Sequence, residues 1–113
     1  MVSRRNHVLL RDTQDEAGSR QLSARLRGDG TLLIEGHDLG PGVAAFFGPG
    51  KIEYEWAISI APPAVEKLMR ALASKDHVLN ALEDRFSGDA SAELQAFLDN
   101  NGVHYEFWSR AGE

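Results

Sequence analysis

Cysteine is absent from this 113-residue chain, which excludes disulfides, thiol nucleophiles and thiolate metal sites together and fits a reducing compartment. Long apolar runs are missing too: none approaches the roughly 20 residues needed to cross a bilayer, so a cytoplasmic, unanchored protein is expected. Ser3-Arg4-Arg5 and the residues up to Leu9 look like the start of a twin-arginine export signal, but Arg11 and Asp12 interrupt the apolar stretch such a signal requires. Basic residues are outnumbered, 12 against 17 acids, and the formal charge of −5 opposes phosphate backbones, so no nucleic acid partner is expected. The deficit is uneven. Residues 1–27 carry six arginines against Asp12, Asp15 and Glu16, which leaves −8 on the remainder.

Familiar chemical motifs are lacking as well. Gly40-Pro41-Gly42-Val43-Ala44-Ala45 matches a dinucleotide fingerprint in spacing, but it leads into a strand without the acid that would hold a ribose. Gly48-Pro49-Gly50-Lys51 is followed by Ile52 where a phosphate loop needs a hydroxyl. Arg27-Gly28-Asp29 spells an integrin-binding tripeptide, but its residues are accounted for by a turn. His7, His37, His77 and His104 form no H-x-H or H-E-x-x-H pair, so neither a metal ion nor another cofactor is expected.

What is present is alternation. In residues 51–60, KIEYEWAISI, the side chains of Ile52, Tyr54, Trp56, Ile58 and Ile60 fall on one side of an extended strand and those of Glu53, Glu55, Ala57 and Ser59 on the other. One side is therefore buried and one wet. Similar patterns predict strands over 6–11, 20–27, 31–35 and 103–109, with residues 12–19 as a loop. Between the second and third strands, a three-residue loop at Gly28-Asp29-Gly30 pairs Leu26 with Leu32 and Ala24 with Ile34, and needs Gly30 in the left-handed region. The segment 36–50, with five glycines and two prolines, is expected to be a surface loop holding one helical turn near Val43 to Phe47, with Phe46 and Phe47 plugging the core.

Helical stripes follow at Val65, Leu68, Met69 and Leu72 in 63–73, at Val78, Leu79, Leu82 and Phe86 in 77–87 behind an Asp76 cap, and at Leu94, Phe97 and Leu98 in 90–101 behind Asp89 or Ser91. The order βββ-loop-β-ααα-β predicts a single α+β domain over 1–113, with a mainly antiparallel sheet of about five strands and three helices on one face.

Glu53 and Glu55 project about 7 Å apart on the wet face, where Glu35 and Glu106 can join them and Arg25, Arg27 or Lys51 can pair with them. Carboxylate pairs hydrolyse glycosides, but that needs a cleft that raises one pKa. Trp108 alternates with the inward residues of its strand. The phrases IEGHDLG, FFG, IEYEW and VHYEFWS resemble those of small uncharacterised bacterial proteins, some of which resemble immunity proteins of polymorphic toxin systems. This likeness spans most of residues 20–109 and rests on strands and glycines, so it carries over no functional residue. It implies an acidic cytosolic domain that binds and blocks a toxin, although −5 is milder than the charge of nuclease inhibitors.

The expectation is therefore a non-enzymatic protein-binding module of the immunity type, with a protein partner such as a toxin. Its contacts would be Glu35, Asp38, Phe46, Phe47, Glu53, Glu55, Glu106 and Trp108. The alternative is a small-ligand sensor or homo-oligomeric module built on Phe46, Phe47 and Trp108, so monomer and homodimer both stay open. An enzyme using Glu53 or Glu55 with His37 or His104 ranks last.

Overall fold

Five antiparallel strands form one sheet in the order β1-β2-β3-β4-β5, and the helices that follow β4 lie across one of its faces. The structure, a computed structural model, describes residues 6–112; Arg4 and Arg5, on which an export-signal reading would rest, lie outside the described residues. Strands β1 (His7–Asp15), β2 (Gly18–Leu26), β3 (Leu32–Leu39) and β4 (Glu53–Ile60) pair as successive neighbours, with α1 (Pro41–Phe47) between β3 and β4. Helices α2 (Pro62–Leu72) and α3 (Val78–Phe86), a 3-10 helix (Gly88–Glu93) and α4 (Leu94–Asn100) then lead to the edge strand β5 (Glu106–Gly112). None of the described helices is long and apolar enough to cross a membrane.

The β2–β3 hairpin has the expected register, Leu26 opposite Leu32 and Ala24 opposite Ile34, with Gly30 at φ 92°. The packing follows the sequence alternation. Ala24, Leu32, Ile34, Ile58 and Ile60 are fully buried against Leu68, Leu79, Leu82 and Leu98 from the helices, and Trp56 packs at the margin of this core. The glutamates flanking Tyr54 point to the opposite, helix-free face, as a period of two requires.

Several boundaries differ from expectation, each for a physical reason. The loop foreseen at 12–19 is mostly ladder: β1 and β2 run to a tight turn at Glu16-Ala17, where the Ala17 amide donates to Asp15 Oδ1 at 2.8 Å. Backbone pairing continues there without apolar side chains to mark it. Strand β3 passes through Gly36 rather than stopping at Glu35, because the Trp56 indole lies across that position; a Cβ there would come within 2.1 Å of the ring. The helical count rises from three to four. The foreseen turn near Val43 is a true helix, and the last foreseen helix splits into the 3-10 segment and α4, with buried Ser91 Oγ donating to the Gly88 carbonyl at 2.6 Å.

Helix α3 is capped by His77, whose ring nitrogen accepts from the Leu79 amide, while Asp76 accepts from the His77 amide and from Asn80 one step outside. Strand β5 starts three residues later than expected. Val103 is buried instead at the end of α4, its amide donating to the Leu98 carbonyl at 2.9 Å.

Candidate functional site

Helix α1 sits at the end of the sheet where β3 finishes and β4 begins. It is tied down by its first turn: the Gly40 amide donates to the Ile52 carbonyl and the Gly42 amide to the Ala17 carbonyl, each at 2.7 Å. With seven residues, α1 has room for one buried anchor, and Val43 takes it. The expected plug is therefore not formed. Phe46 is 83 % exposed and Phe47 40 %, with the Phe47 ring stacked on Tyr54 at 4.6 Å and Phe46 set edge-on against Phe47 at 4.9 Å. Leu39 and Ile52 are exposed at the same end of the sheet.

Between α1 and the β1–β2 turn lies a cavity of about 380 Å³, whose wall includes Phe46, Phe47, Tyr54, Arg20 and Asp38. Asp38 stands on the helix side of β3, opposite Arg20 on β2 and Tyr54 on β4. Burial raises its carboxyl pKa above the usual 3.8, against the pull of the Arg20, Arg11 and His37 charges. Asp38 was expected among the partner contacts, together with Glu35. Because β3 extends through it, its side chain belongs to the opposite face.

The helix-free face carries a second constellation. His37 is the direct cross-strand partner of Glu55, and Glu55 of Arg110. His37 Nε2 lies 3.5 Å from Glu53 and 3.8 Å from Glu55, and Arg110 Nη2 lies 3.4 Å from Glu53 and 3.5 Å from Glu55. Ligand atoms of His37, Glu53 and Glu55 fall within 4.8 Å of one another, a spacing that a divalent cation could bridge. The Arg110 guanidinium already supplies the positive charge there and would repel such an ion. Hydrogen bonding with Glu55, and after it with His37, lowers the Glu53 pKa below the usual 4.5. A glycosidase's general acid needs a shift in the other direction. His104 precedes β5 and is exposed, outside this cluster.

The remaining foreseen contacts spread along the same face. Glu35 pairs with Arg25 at 3.5 Å, one of the basic partners expected for this strip. Trp108 stands on Ala57, and Glu106 on Ser59 at the far end. Sequence reasoning brought Glu53 and Glu55 together and weighed His37 beside them, but paired them with His104 as readily, and it missed Arg110, which meets them only through the β4–β5 register. It also missed Tyr54 and Arg20 as cavity walls. The alternation of 32–39, carried past Gly36, was the available signal for His37 and Asp38.

Comparison with known proteins finds no matching family model, no matching curated protein and no matching solved structure.

Proposed function

We propose that this chain is a non-enzymatic protein-binding module that grips its partner with the α1 end of the sheet. The observation that supports this reading is Phe46, a large aromatic ring left 83 % exposed on a helix whose first turn is fixed by two backbone hydrogen bonds. An aromatic held out rigidly loses little entropy on contact, and such rings dominate interface energetics. Phe47 and Leu39 line the same cavity as Phe46, with Asp15 beside them and Glu53 opposite Leu39, which favours a partner with an apolar centre. In its narrower form, drawn from the resemblance in sequence, the partner is a bacterial toxin and the binding is inhibitory.

Titration calorimetry with a toxin whose gene adjoins this one tests the reading, and the absence of any such neighbouring gene counts against its narrower form. Phe46→Ser is expected to weaken the complex by a factor of about 30 or more, the signature of a central anchor, with the melting temperature unchanged. Equal affinity of variant and wild type, or no complex at all, would refute it. The cavity beside α1 favours one competing reading, a small-ligand sensor. Phe46 lines that cavity as well, so Arg20→Ala, elsewhere on the wall, is the discriminating variant: toxin binding kept in Arg20→Ala but lost in Phe46→Ser supports the protein-binding reading, and a small molecule whose binding both variants abolish supports the sensor.

A further inference from the structure

Strand β5 is the part of the molecule that neither the core nor the α1 site explains. Among the described residues it pairs with β4 alone, in an unbroken register from Glu53 opposite Gly112 to Ser59 opposite Glu106. Its outer row of amides and carbonyls faces away from the sheet. The opposite margin is different in kind: β1 is interrupted by a bulge between Leu9 and Arg11 and lies against α3 and the 3-10 helix.

The side chains of β5 are as unguarded as its backbone. Phe107 is on the helix-bearing face opposite Ile58, yet it is 48 % exposed while Ile58 is 0 %, because the helical layer stops short of this strand. It stacks with Trp56 at 6.3 Å. Trp108, on the other face, is 52 % exposed. A clean edge with large aromatics bare on both faces is a template for one more strand.

The sequence of β5 identifies that strand. We infer that β5 pairs antiparallel with β5 of a second copy, about a two-fold axis at Trp108, to make one continuous ten-stranded sheet. In this register Glu106 stands opposite Arg110 of the second copy and Arg110 opposite Glu106 of the second copy, so one contact is made twice, as two-fold symmetry requires. Trp108 meets its own counterpart between these ion pairs, and Phe107 meets Ser109 of the second copy on the helix-bearing face. Direct cross-strand neighbours of opposite charge stabilise a pairing and like charges oppose it. Moving the axis loses the match. Centred on Phe107, Glu106 would face Trp108; centred on Ser109, Trp108 would face Arg110 and Glu106 would face Gly112.

Arg110 is free to serve both sides. Its side chain is 62 % exposed, and its contacts with Glu53 and Glu55 are long ones on the surface, so the same guanidinium can reach a carboxylate on the added strand. The axis reverses the strand direction and therefore sends the two α1 ends to diagonally opposite corners of the joined sheet. The α1 surface stays open in the pair, and self-association and partner binding fail or succeed independently.

Sedimentation equilibrium on the full chain, up to ~100 µM and so above the micromolar dissociation constant expected of a small interface, tests the inference. The wild type is expected at twice its monomer mass of 12.4 kDa. Glu106→Arg and Arg110→Glu, each of which sets like charges opposite one another twice, are expected to weaken the dimer at least about tenfold. The double exchange Glu106→Arg/Arg110→Glu restores opposite charges at both positions and is expected to recover the dimer. Each side chain is exposed, so folding survives, and unchanged circular dichroism checks that. A wild type that stays monomeric would overturn the inference and leave the edge to a strand of another protein. A dimer indifferent to either single reversal, or not recovered by the double exchange, would overturn it as well.

Discussion

Strand β4 is two strands in one: Ile58 and Ile60 are 0 % exposed at its C-terminal half, while every residue from Glu53 to Ala57 is half-buried. The alternation is the same in both halves. What differs is the cover, since the core cluster that includes Leu68, Leu72, Leu79, Leu82 and Leu98 of the helices takes in Ile58 and Ile60 fully, whereas in the other half it is joined by a partly buried Trp56, and α1 beyond has the single anchor Val43. Burial is thus decided by which helix lies overhead as much as by the strand's own residues. One end holds the protein folded, and the other is left with aromatic and charged groups to spend on contacts.

The sharpest way to break this comparison is Ile58→Ala, which opens a cavity in the packed half and is expected to cost about 2–5 kcal/mol in urea unfolding. A loss no larger than that of an exposed substitution would show that the two halves do not divide the labour. Gly36→Ala probes the border between them. Its methyl group would collide with the Trp56 indole, so an overpacking loss of about 1–3 kcal/mol is expected, with a shifted Trp56 emission in a Trp108→Phe background. Unchanged emission would mean that the ring does not lie across Gly36.

Asp38→Asn is the mildest change and sharpens the comparison through pH. The folded carboxyl binds its proton more tightly than the unfolded one, so wild-type stability declines as pH rises from 3.8 through the raised folded value, and the loss is complete above it. The amide is free of this loss. The variant is expected to melt slightly above wild type at pH 7, with the gain shrinking to nothing as pH falls toward 3.8. A lower melting temperature at pH 7 would mean that attraction to Arg20 and Arg11 outweighs desolvation.

Much of the fold was legible because it depends on local periodicity. The stripe Val78, Leu79, Leu82 and Phe86 is buried as its spacing requires, and the Leu26–Leu32 pairing follows from loop length and face. Elements that end by tertiary contact were harder to read. Gly36 reads as a breaker until Trp56 is seen to fill its space, and Val103 reads as strand until its amide is seen to close α4. The candidate site was half legible. Glu53 and Glu55 share a face by parity alone and His37 was weighed beside them, but the choice of His37 over His104 and the arrival of Arg110 depend on registers that no single segment encodes. Phe46 was misplaced because hydrophobicity argues for burial, whereas the length of α1 allows room for Val43 and no more.

The bulge in β1 has a consequence for assembly. Leu10 is the surplus residue there, and it is also 2 % exposed, a filled position in the core, so the irregularity that spoils this margin as a template is fastened by hydrophobic burial. Straightening the strand by deleting Leu10 would open a void at the same stroke. A sheet with one ruined border and one clean border can close as a pair, but it has no second docking edge from which a fibre could grow.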